Sequence, residues 1–507
     1  MPELYQKLER VVSKNRISND LYVRHAYSRN VTSNLQGVPD IVIRPKTTEE
    51  ISEILKIANE KNVPVIPRGG GDCEFGGSKP IGDTGIVLDL KSMNKVLNLD
   101  IDNLIVTVEA GISWSKLNEY LCHFGLYTGC MGPGSGLTSS IGGGLSHHSV
   151  GGGGCAKYGA CTNQLVSLEV VLPTGEIIET GSQANIHSKF PFNRFGNGPD
   201  LAALFCGDNG IFGVKTKVSL QVFPKPEYAG YKTFLMPRNS LEISAQMMSE
   251  IRQKGIDVYD TMYFMDLIVS IGIQYGMFPM WEHLKRKRGV IFYTVEANSE
   301  TELKAKVTQL DKIMLSKKAE EFGPEISDGN IAKWHYEEQG HWLIAHNLWG
   351  LVPGFDPVDA ECHVPINAYP KIMKDLDLWD IEHSEDMQKI LKITGMRPIT
   401  GTGPIILTEG SNVELTCGFT SFPSYYNGEK HEIIKEINLK LWKSLLERLV
   451  KHGAMFYMFG DILSRHMVNI QGFQKGYYEL MKKIKDTIDP KHILSRGKYN
   501  FWGNGRK

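Results

Sequence analysis

The most informative stretch of the chain is Pro67-Arg-Gly-Gly-Gly-Asp-Cys-Glu-Phe-Gly-Gly77, which directly follows the apolar run Val63–Ile66. Upstream, Asp40–Pro45 is a second apolar run, and Thr47–Glu50 has the residue pattern that caps the start of a helix. Downstream, Gly85–Leu90 predicts a third strand. A strand–helix–strand unit with a glycine-rich loop at the carboxyl end of its second strand is typical of ligand binding in α/β folds.

A second glycine-rich tract occupies residues 132–154, between predicted strands at Leu104–Val108 and Leu165–Leu172. Glycine lets the backbone approach another group closely, because it has no Cβ. Several backbone N–H groups brought close together bind an anion such as a pyrophosphate. The two tracts therefore predict two walls around a dinucleotide.

Two other interpretations of these glycines are weaker. A nicotinamide-binding fingerprint needs Gly-x-Gly-x-x-Gly opening a helix, with an acidic residue about 20 positions later. Here Gly69–Gly71 continues into Asp-Cys-Glu-Phe-Gly-Gly and not into an apolar helix. The glycines could also serve only as turns.

Size and charge limit the class of protein. A chain of 507 residues predicts two packed domains, and a formal net charge of −1 provides no basic field for nucleic acid or an anionic membrane. The first twelve residues predict a polar amphipathic helix and no signal segment, and no apolar run is long enough to span a bilayer. The eight cysteines form no Cys-x-x-Cys pair, so we expect reduced thiols and a cytoplasmic location.

Four segments taken together resemble the FAD-binding half of the vanillyl-alcohol oxidase/p-cresol methylhydroxylase superfamily, above all its branch of glycolate oxidase and D-lactate dehydrogenase flavoproteins. They are Pro67–Gly77, the run Gly132–Gly144 with its continuation to Gly175, Asp200–Thr216 closing on Pro224–Pro226, and Ile484–Lys498. The resemblance implies an α+β protein with a PCMH-type FAD-binding domain over residues 1–226. It further implies an α+β cap (substrate) domain over 227–460 and a C-terminal segment, 461–507, that returns to the FAD domain.

The resemblance also implies which residues hold FAD. The backbone and side chains of two loops would wrap the pyrophosphate, and a third segment would lie near the adenine. These cofactor-binding residues are Pro67, Arg68, Gly69, Gly70, Gly71, Asp72, Cys73, Gly77, Pro133, Gly134, Ser139, Gly142, Gly143, His148, Gly152, Tyr158, Ile211 and Val214.

At several positions the sequence differs from the superfamily, and these differences bear on how FAD is attached and whether a metal is bound. The position of the flavin-anchoring histidine of the bicovalent branch is Gly71, and Ser411–Cys417 offers neither His nor Tyr as a tether, so we expect non-covalent FAD. The metal-binding motifs of the 2-hydroxy-acid dehydrogenases correspond to Thr400–Ile406 and Ser464–Val468. Neither retains the ligand set, so we expect no metal.

Catalytic residues are expected from the same comparison. The phenol-binding tyrosines of the superfamily correspond to Phe75 and Ser464, whereas Arg465 is kept and would pair an anionic substrate or the reduced flavin. His466 is the candidate base for a substrate hydroxyl, since its unperturbed pKa lies near working pH, and His363 is a further candidate.

The expected function is an FAD-dependent oxidoreductase that oxidises an alcohol or 2-hydroxy-acid carbon by hydride transfer to flavin. The alternatives are an oxidase or dehydrogenase of para-substituted phenolic compounds, a flavin-dependent transferase similar to alkylglycerone-phosphate synthase, and a non-catalytic flavoprotein subunit. The sequence does not distinguish oxygen, a cytochrome and a quinone as the electron acceptor. A homodimer is expected from the resemblance.

Overall fold

The computed structural model describes the chain except residues 1, 29–36, 74–75, 83, 197, 239, 266–288, 322–330, 338–355, 395–398, 411, 422–428, 458–459 and 503–507, and for 356–359, 399–404 and 416–421 it describes the backbone alone. The described α-helices are Pro2–Val11, Leu21–Tyr27, Thr48–Lys61, Trp114–Cys122, Ile141–His147, Cys155–Tyr158, Leu241–Gln253, Glu300–Ser316, Ile331–Glu337, Tyr369–Glu382, Ser384–Thr394, Glu429–Lys451, Ile462–Asn469 and Lys475–Ile488. Short 3₁₀ helices are Lys14–Arg16, Leu90–Ser92, Cys161–Gln164, Gly181–Ala184, Ala202–Phe205 and Lys498–Asn500.

The first lobe contains a small sheet that ends in the first glycine loop. Its strands, in spatial order, are Ile17–Ser18, Ile41–Ile43, Ile86–Asp89 and Val65–Arg68. The last three run parallel, as an intervening helix requires. That helix, Thr48–Lys61, begins after Thr47, whose side chain accepts a hydrogen bond from Glu50 N at 3.2 Å.

A second, antiparallel sheet supports the second glycine tract. Its strands, in spatial order, are Val96–Asp100, Ile105–Glu109, Val214–Gln221, Leu165–Val171 and Ile177–Glu179. A separate two-stranded pair joins Leu126–Tyr127 to Phe223–Pro224. The strand Leu165–Val171 is buried along its whole length, because both of its faces are covered.

The second lobe is a large antiparallel sheet with helices on one face. The strand order is Glu320–Glu321, Tyr228–Leu235, Val290–Ala297, Asp260–Phe264, Ile399–Leu407, Asn412–Ser421, Asp356–Pro365 and Met455–Phe456. Leu310, Leu441, Leu445 and other helix side chains pack against the sheet in one core cluster. The opposite face carries the carboxylates described below.

The C-terminal segment packs against the first lobe through two buried lysines. Lys485 Nζ donates to Ile211 O at 2.7 Å and pairs with Asp489 Oδ2 at 2.6 Å. Lys498 Nζ donates to Gly77 O and to Asn209 O, each at 2.7 Å. The last described turn of the chain therefore lies directly beneath the first glycine loop.

Candidate active site

A cleft between the two glycine-rich loops contains most of the predicted FAD contacts. Pro67 and the loop 69–73 form one wall, and residues 133–144 form the other. The predicted residues that line it are Pro67, Gly69, Gly70, Gly71, Asp72, Cys73, Gly77, Pro133, Ser139, Gly142 and Gly143. The structure thus brings together two segments that are separated by sixty residues of sequence.

The glycines at this cleft have no room for a side chain. A Cβ on Gly69 would lie 2.0 Å from Ser140 Oγ, and one on Gly70 would lie 2.4 Å from the backbone oxygen of Thr138. Contacts that short require the atoms to move apart, and a backbone oxygen cannot yield as a flexible side chain can. The two loops therefore approach each other this closely only with glycine at these positions.

The first loop also fits the charge of a dinucleotide. Within the described part of the chain, the N–H groups of Gly69, Gly70, Gly71 and Asp72 donate no intramolecular hydrogen bond. Unpaired N–H groups that line a cleft need an outside acceptor, and a pyrophosphate supplies several oxygens at once. These residues fit the pyrophosphate of FAD.

Asp72 joins the two loops. Its Oδ1 accepts a hydrogen bond from Thr138 Oγ1 at 2.7 Å, and its Oδ2 accepts one from Ser139 Oγ at 3.1 Å. The next residue, Ser140, caps the helix Ile141–His147 by accepting from Gly143 N at 3.1 Å. A single carboxylate thus fixes the distance across the cleft.

Replacing Asp72 by alanine is expected to weaken FAD binding about tenfold. Each hydrogen bond to a charged group contributes about 1.5–3 kcal/mol, and partial exposure of Asp72 reduces the pair to about 1.5 kcal/mol in total. Reconstitution of the apoprotein, followed by flavin fluorescence, gives the dissociation constant. Asp72→Asn keeps one acceptor oxygen, so its dissociation constant for FAD should lie between those of the wild type and Asp72→Ala. An unchanged dissociation constant in Asp72→Ala would contradict the role of Asp72 in joining the two loops.

Several predicted FAD residues lie outside this cleft. The side chain of Arg68 folds beneath the loop, and its guanidinium carbon lies 5.3 Å from the ring centroid of Tyr27. It fills the space next to Gly71, since a Cβ on Gly71 would lie 2.2 Å from the guanidinium. Val214 is 1% exposed in the core of the antiparallel sheet. The N–H of Gly152 donates to Gly132 O at 2.7 Å, so it supports the second tract from behind.

Tyr158 is placed between the lobes and not against the first cleft. Its hydroxyl is 2.6 Å from that of Tyr127, and both tyrosines, with Lys157, surround the buried carboxylate of Glu296 on a cap strand. Tyr336 of the cap donates to the same carboxylate at 2.9 Å. This position makes Tyr158 an interlobe residue, and its direct contact with FAD stays a prediction.

The cleft includes residues that the sequence pattern did not predict. Lys215 is buried there and pairs with Asp208 Oδ1 at 2.7 Å, which supplies a cation beside the expected pyrophosphate. His147 is also in the lining, and burial lowers its pKa to about 3, so its imidazole is neutral. Lys215 directly follows Val214 on the strand Val214–Gln221, and no pattern in the sequence indicated that its side chain is buried.

On the cap side, two carboxylates meet at one tyrosine. Glu361 and Glu414 lie on adjacent strands, and the hydroxyl of Tyr457 is hydrogen bonded to both. A hydroxyl has one proton to donate, so the second of these bonds requires a proton on a carboxyl group. Glu361, Glu414 and Tyr457 therefore form a hydrogen-bonded cluster, here called the acid pair after its two carboxyl groups.

The acid pair lies beside the second glycine tract. A Cβ on Gly151 would be 3.6 Å from Glu414 Oε2 and 3.9 Å from Gly134 N. Burial raises the pKa of Glu414 to about 7, and the hydrogen bond from Tyr457 opposes that shift. A buried carboxyl group with a pKa near 7 is suited to exchange protons with a substrate.

A second cleft, of about 1140 Å³, opens between the lobes next to the acid pair. Its lining brings together the predicted residues His148, Ile211 and His363 with Tyr457. His363 Nδ1 donates to Asn412 Oδ1 at 2.9 Å, and its ring centroid lies 5.4 Å from that of Tyr457. Burial lowers the pKa of His148 to about 4 and also lowers that of His363, so both rings are neutral.

The structure does not bring Arg465 or His466 to either described cleft. Arg465 Nε pairs with Asp461 Oδ1 at 2.8 Å on its own helix. His466 Nε2 lies 3.4 Å from Glu447 Oε1 against the long helix Glu429–Lys451, and burial lowers its pKa. Both contacts belong to the packing of the helix Ile462–Asn469, and a catalytic role for either side chain stays a prediction. Phe75 lies outside the described residues.

No group of three or more His, Cys, Asp or Glu side chains among the described residues is arranged to hold a metal ion. No described helix is both long and apolar enough to cross a membrane.

The fold and site together define a two-lobed enzyme with a dinucleotide cleft in one lobe and an acid pair on the other. Residues 39–181 match the FAD binding domain family, and residues 471–499 match the C-terminal domain of FAD linked oxidases. A D-lactate dehydrogenase of Archaeoglobus fulgidus is 30% identical over 492 residues, which cover 90% of each chain. The chain therefore belongs to the FAD-linked oxidoreductase family that includes this enzyme.

Other relatives agree with this assignment. The glycolate oxidase subunit GlcD of Bacillus subtilis is 36% identical over 243 residues, a match that spans 48% of this chain and about half, 49%, of that subunit. The solved structure of 4-ethylphenol oxidase from Gulosibacter chungangensis shares the fold, with a TM-score of 0.80 at 16% identity over 99% of this chain and 97% of the other. The predictions of the superfamily, its α+β fold, the FAD cofactor and an FAD-dependent oxidoreductase are confirmed.

Proposed function

We propose that this enzyme oxidises the carbon of a CH–OH group, with the acid pair as the acceptor of the hydroxyl proton. The observation that carries the proposal is the tyrosine-bridged pair Glu361–Glu414 beside the glycine tract at Gly134 and Gly151. This arrangement places a proton acceptor where the cap meets the FAD-binding wall. It replaces His466 as the candidate base.

The chain's own residues support the reaction in three ways. The carboxylate of Glu414 accepts and keeps the hydroxyl proton as the carbonyl forms, and Tyr457 stays hydrogen bonded to Glu414 and Glu361. The neutral imidazoles of His148 and His363 line the adjoining cleft and present hydrogen-bonding groups without a net charge. When bound, FAD supplies the acceptor for the hydride that leaves the same carbon.

The donor class is proposed from the relatives. A D-lactate dehydrogenase and a glycolate oxidase subunit are both named for 2-hydroxy acids, so these are the first donors to try. Aliphatic alcohols are the next donors to try. Para-alkylphenols come after them, since the solved structure with the same fold is named for 4-ethylphenol. A transferase similar to alkylglycerone-phosphate synthase would show no net oxidation of any donor.

We also propose that FAD is bound without a covalent link, since Gly71 stands where a tethering histidine would be and folds over Arg68. Precipitation in acid should leave all yellow colour in the supernatant; colour in the pellet would refute this. The further proposals are a homodimer, no bound metal and a cytoplasmic location, the last supported by seven free thiols among the described cysteines. Cell fractionation tests the location, and metal analysis of the purified protein tests the metal.

Anaerobic titration of the purified enzyme with the donor panel is expected to bleach the flavin bands with one class of CH–OH donor. Because Glu414 must be ionised to accept a proton and its pKa is raised to about 7, the rate of bleaching should rise with pH through about 7 and level off above it. Stopped-flow absorbance at several pH values measures both the bleaching by each donor and the pH dependence of its rate. Flavin bands that no donor bleaches would refute the proposed oxidation.

A further inference from the structure

The surface of the first lobe carries an unusual apolar loop, residues 185–196, between the 3₁₀ helices Gly181–Ala184 and Ala202–Phe205. Its four large apolar side chains point into solvent. Their exposed fractions are 91% for Ile186, 59% for Phe190, 66% for Phe192 and 67% for Phe195. Soluble monomers rarely expose so many large apolar groups together, so this aromatic loop marks a surface that is covered by a partner.

The backbone of the aromatic loop is held in place by polar groups that face inward. Ser182 N donates to Asn193 O at 2.8 Å, and Ser182 Oγ accepts from Phe192 N at 2.9 Å. Arg194 Nη1 donates to Thr162 O at 2.9 Å. Arg194 of the loop and Ser182 beside it therefore fix the backbone that carries the phenylalanines. Fixed presentation lowers the entropy lost when a partner binds.

The charge of the loop favours a second copy of this chain over a lipid surface. Arg194 is neutralised within the chain by Asp200, at 2.8 Å from Nε to Oδ2, and Lys189 is then the remaining charged side chain of residues 185–196. Recognition of anionic lipid needs a cluster of basic residues. A nearly uncharged apolar patch can meet its own copy about a twofold axis without repulsion between like charges.

The area of the patch also fits a dimer. Aromatic residues bury about 150–250 Å² each when fully covered, and about two thirds of each phenylalanine here is exposed and available to an interface. Three phenylalanines and an isoleucine therefore supply most of the roughly 800 Å² per partner that a standard interface buries. We infer that the aromatic loop is the self-association surface of this protein, with Phe190, Phe192 and Phe195 as its central contacts. The inference rests on the homodimer proposed above and names the surface that forms it.

Sedimentation velocity of the full-length holoenzyme over a dilution series tests the inference. The wild-type protein should have twice the chain mass of 56.8 kDa, and Phe190→Ser/Phe195→Ser should sediment as the 56.8 kDa chain, with its dimer dissociation constant raised at least about a hundredfold. The matched control Leu21→Ser/Tyr22→Ser changes two other exposed apolar side chains, 62% and 77% exposed, and should remain dimeric. Donor-driven bleaching of the flavin should be kept by both variants, which shows that they are folded.

The contrary outcomes are distinct. A wild-type monomer overturns both the homodimer and the surface. A wild-type dimer whose Phe190→Ser/Phe195→Ser variant is equally dimeric overturns the surface and leaves the homodimer standing. A wild-type monomer that sediments with phosphatidylcholine/phosphatidylglycerol vesicles, and loses this binding in the double variant, assigns the loop to a lipid surface and overturns the inference.

Discussion

Replacing Gly70 by alanine is expected to yield a folded protein that has lost nearly all of its FAD. The new Cβ would lie 2.4 Å from the backbone oxygen of Thr138, so the two glycine loops must separate before it fits. Overpacking against a rigid neighbour costs up to about 3 kcal/mol, which corresponds to an affinity for FAD about a hundredfold lower. The ratio of flavin absorbance to protein absorbance after purification measures the loss.

Gly198→Ala is the matched control for this experiment. A Cβ on Gly198 meets no atom within 4 Å, and its backbone is not in the left-handed region. This variant should therefore keep the flavin content of the wild type. If Gly70→Ala also keeps it, the close approach of residues 69–73 to residues 132–144 does not form the FAD site.

Replacing Glu414 by glutamine is expected to slow donor-driven reduction of the flavin by about 10²–10⁴-fold, the usual contribution of a general base. Glutamine has nearly the same shape but cannot accept a proton, so FAD content should be unchanged. The rise of the rate with pH through about 7 should disappear in the variant, since the group with the raised pKa is gone. Stopped-flow reduction under anaerobic conditions measures the rate and its pH profile.

His466→Asn gives the comparison that separates the two candidate bases. His466 packs against Glu447 on a long helix and does not line either described cleft, so its removal should change the reduction rate by no more than about twofold. A large loss in His466→Asn, together with normal reduction in Glu414→Gln, would return the role of base to the residue that the sequence pattern favours.

Local sequence patterns predicted the elements of the first lobe well. The cap at Thr47, the strands on either side of it and the strand at 165–171 all lie within two residues of their expected positions. Each is specified by neighbouring residues, through periodicity, capping or a glycine-rich turn. The two glycine walls were predicted for the same reason, since their function depends on backbone that only glycine allows.

The acid pair was not predicted, because its members come from three separate segments. Glu361 and Glu414 are 53 positions apart in the sequence and meet only through strand pairing in the cap sheet. Tyr457 follows the end of a third strand, Met455–Phe456, that pairs with the strand of Glu361. Glu361 and His363 lie two residues apart on one strand and therefore share a face of the sheet. This spacing was the local sequence pattern that could have indicated the site. Arg465 was expected from the resemblance and His466 from its unperturbed pKa. Neither observation contains the packing of the helix Ile462–Asn469, which sets the direction of both side chains.

The attachment of the C-terminal segment has a consequence for how the chain is made. Leu494 pairs with Val65, and the ammonium group of Lys498 holds the carbonyl of Gly77. Domains emerging from the ribosome fold from the N-terminus as their partners become available. The first glycine loop lacks this support until residues 494–498 have been synthesised, so we expect the FAD site to form only after the rest of its lobe has emerged.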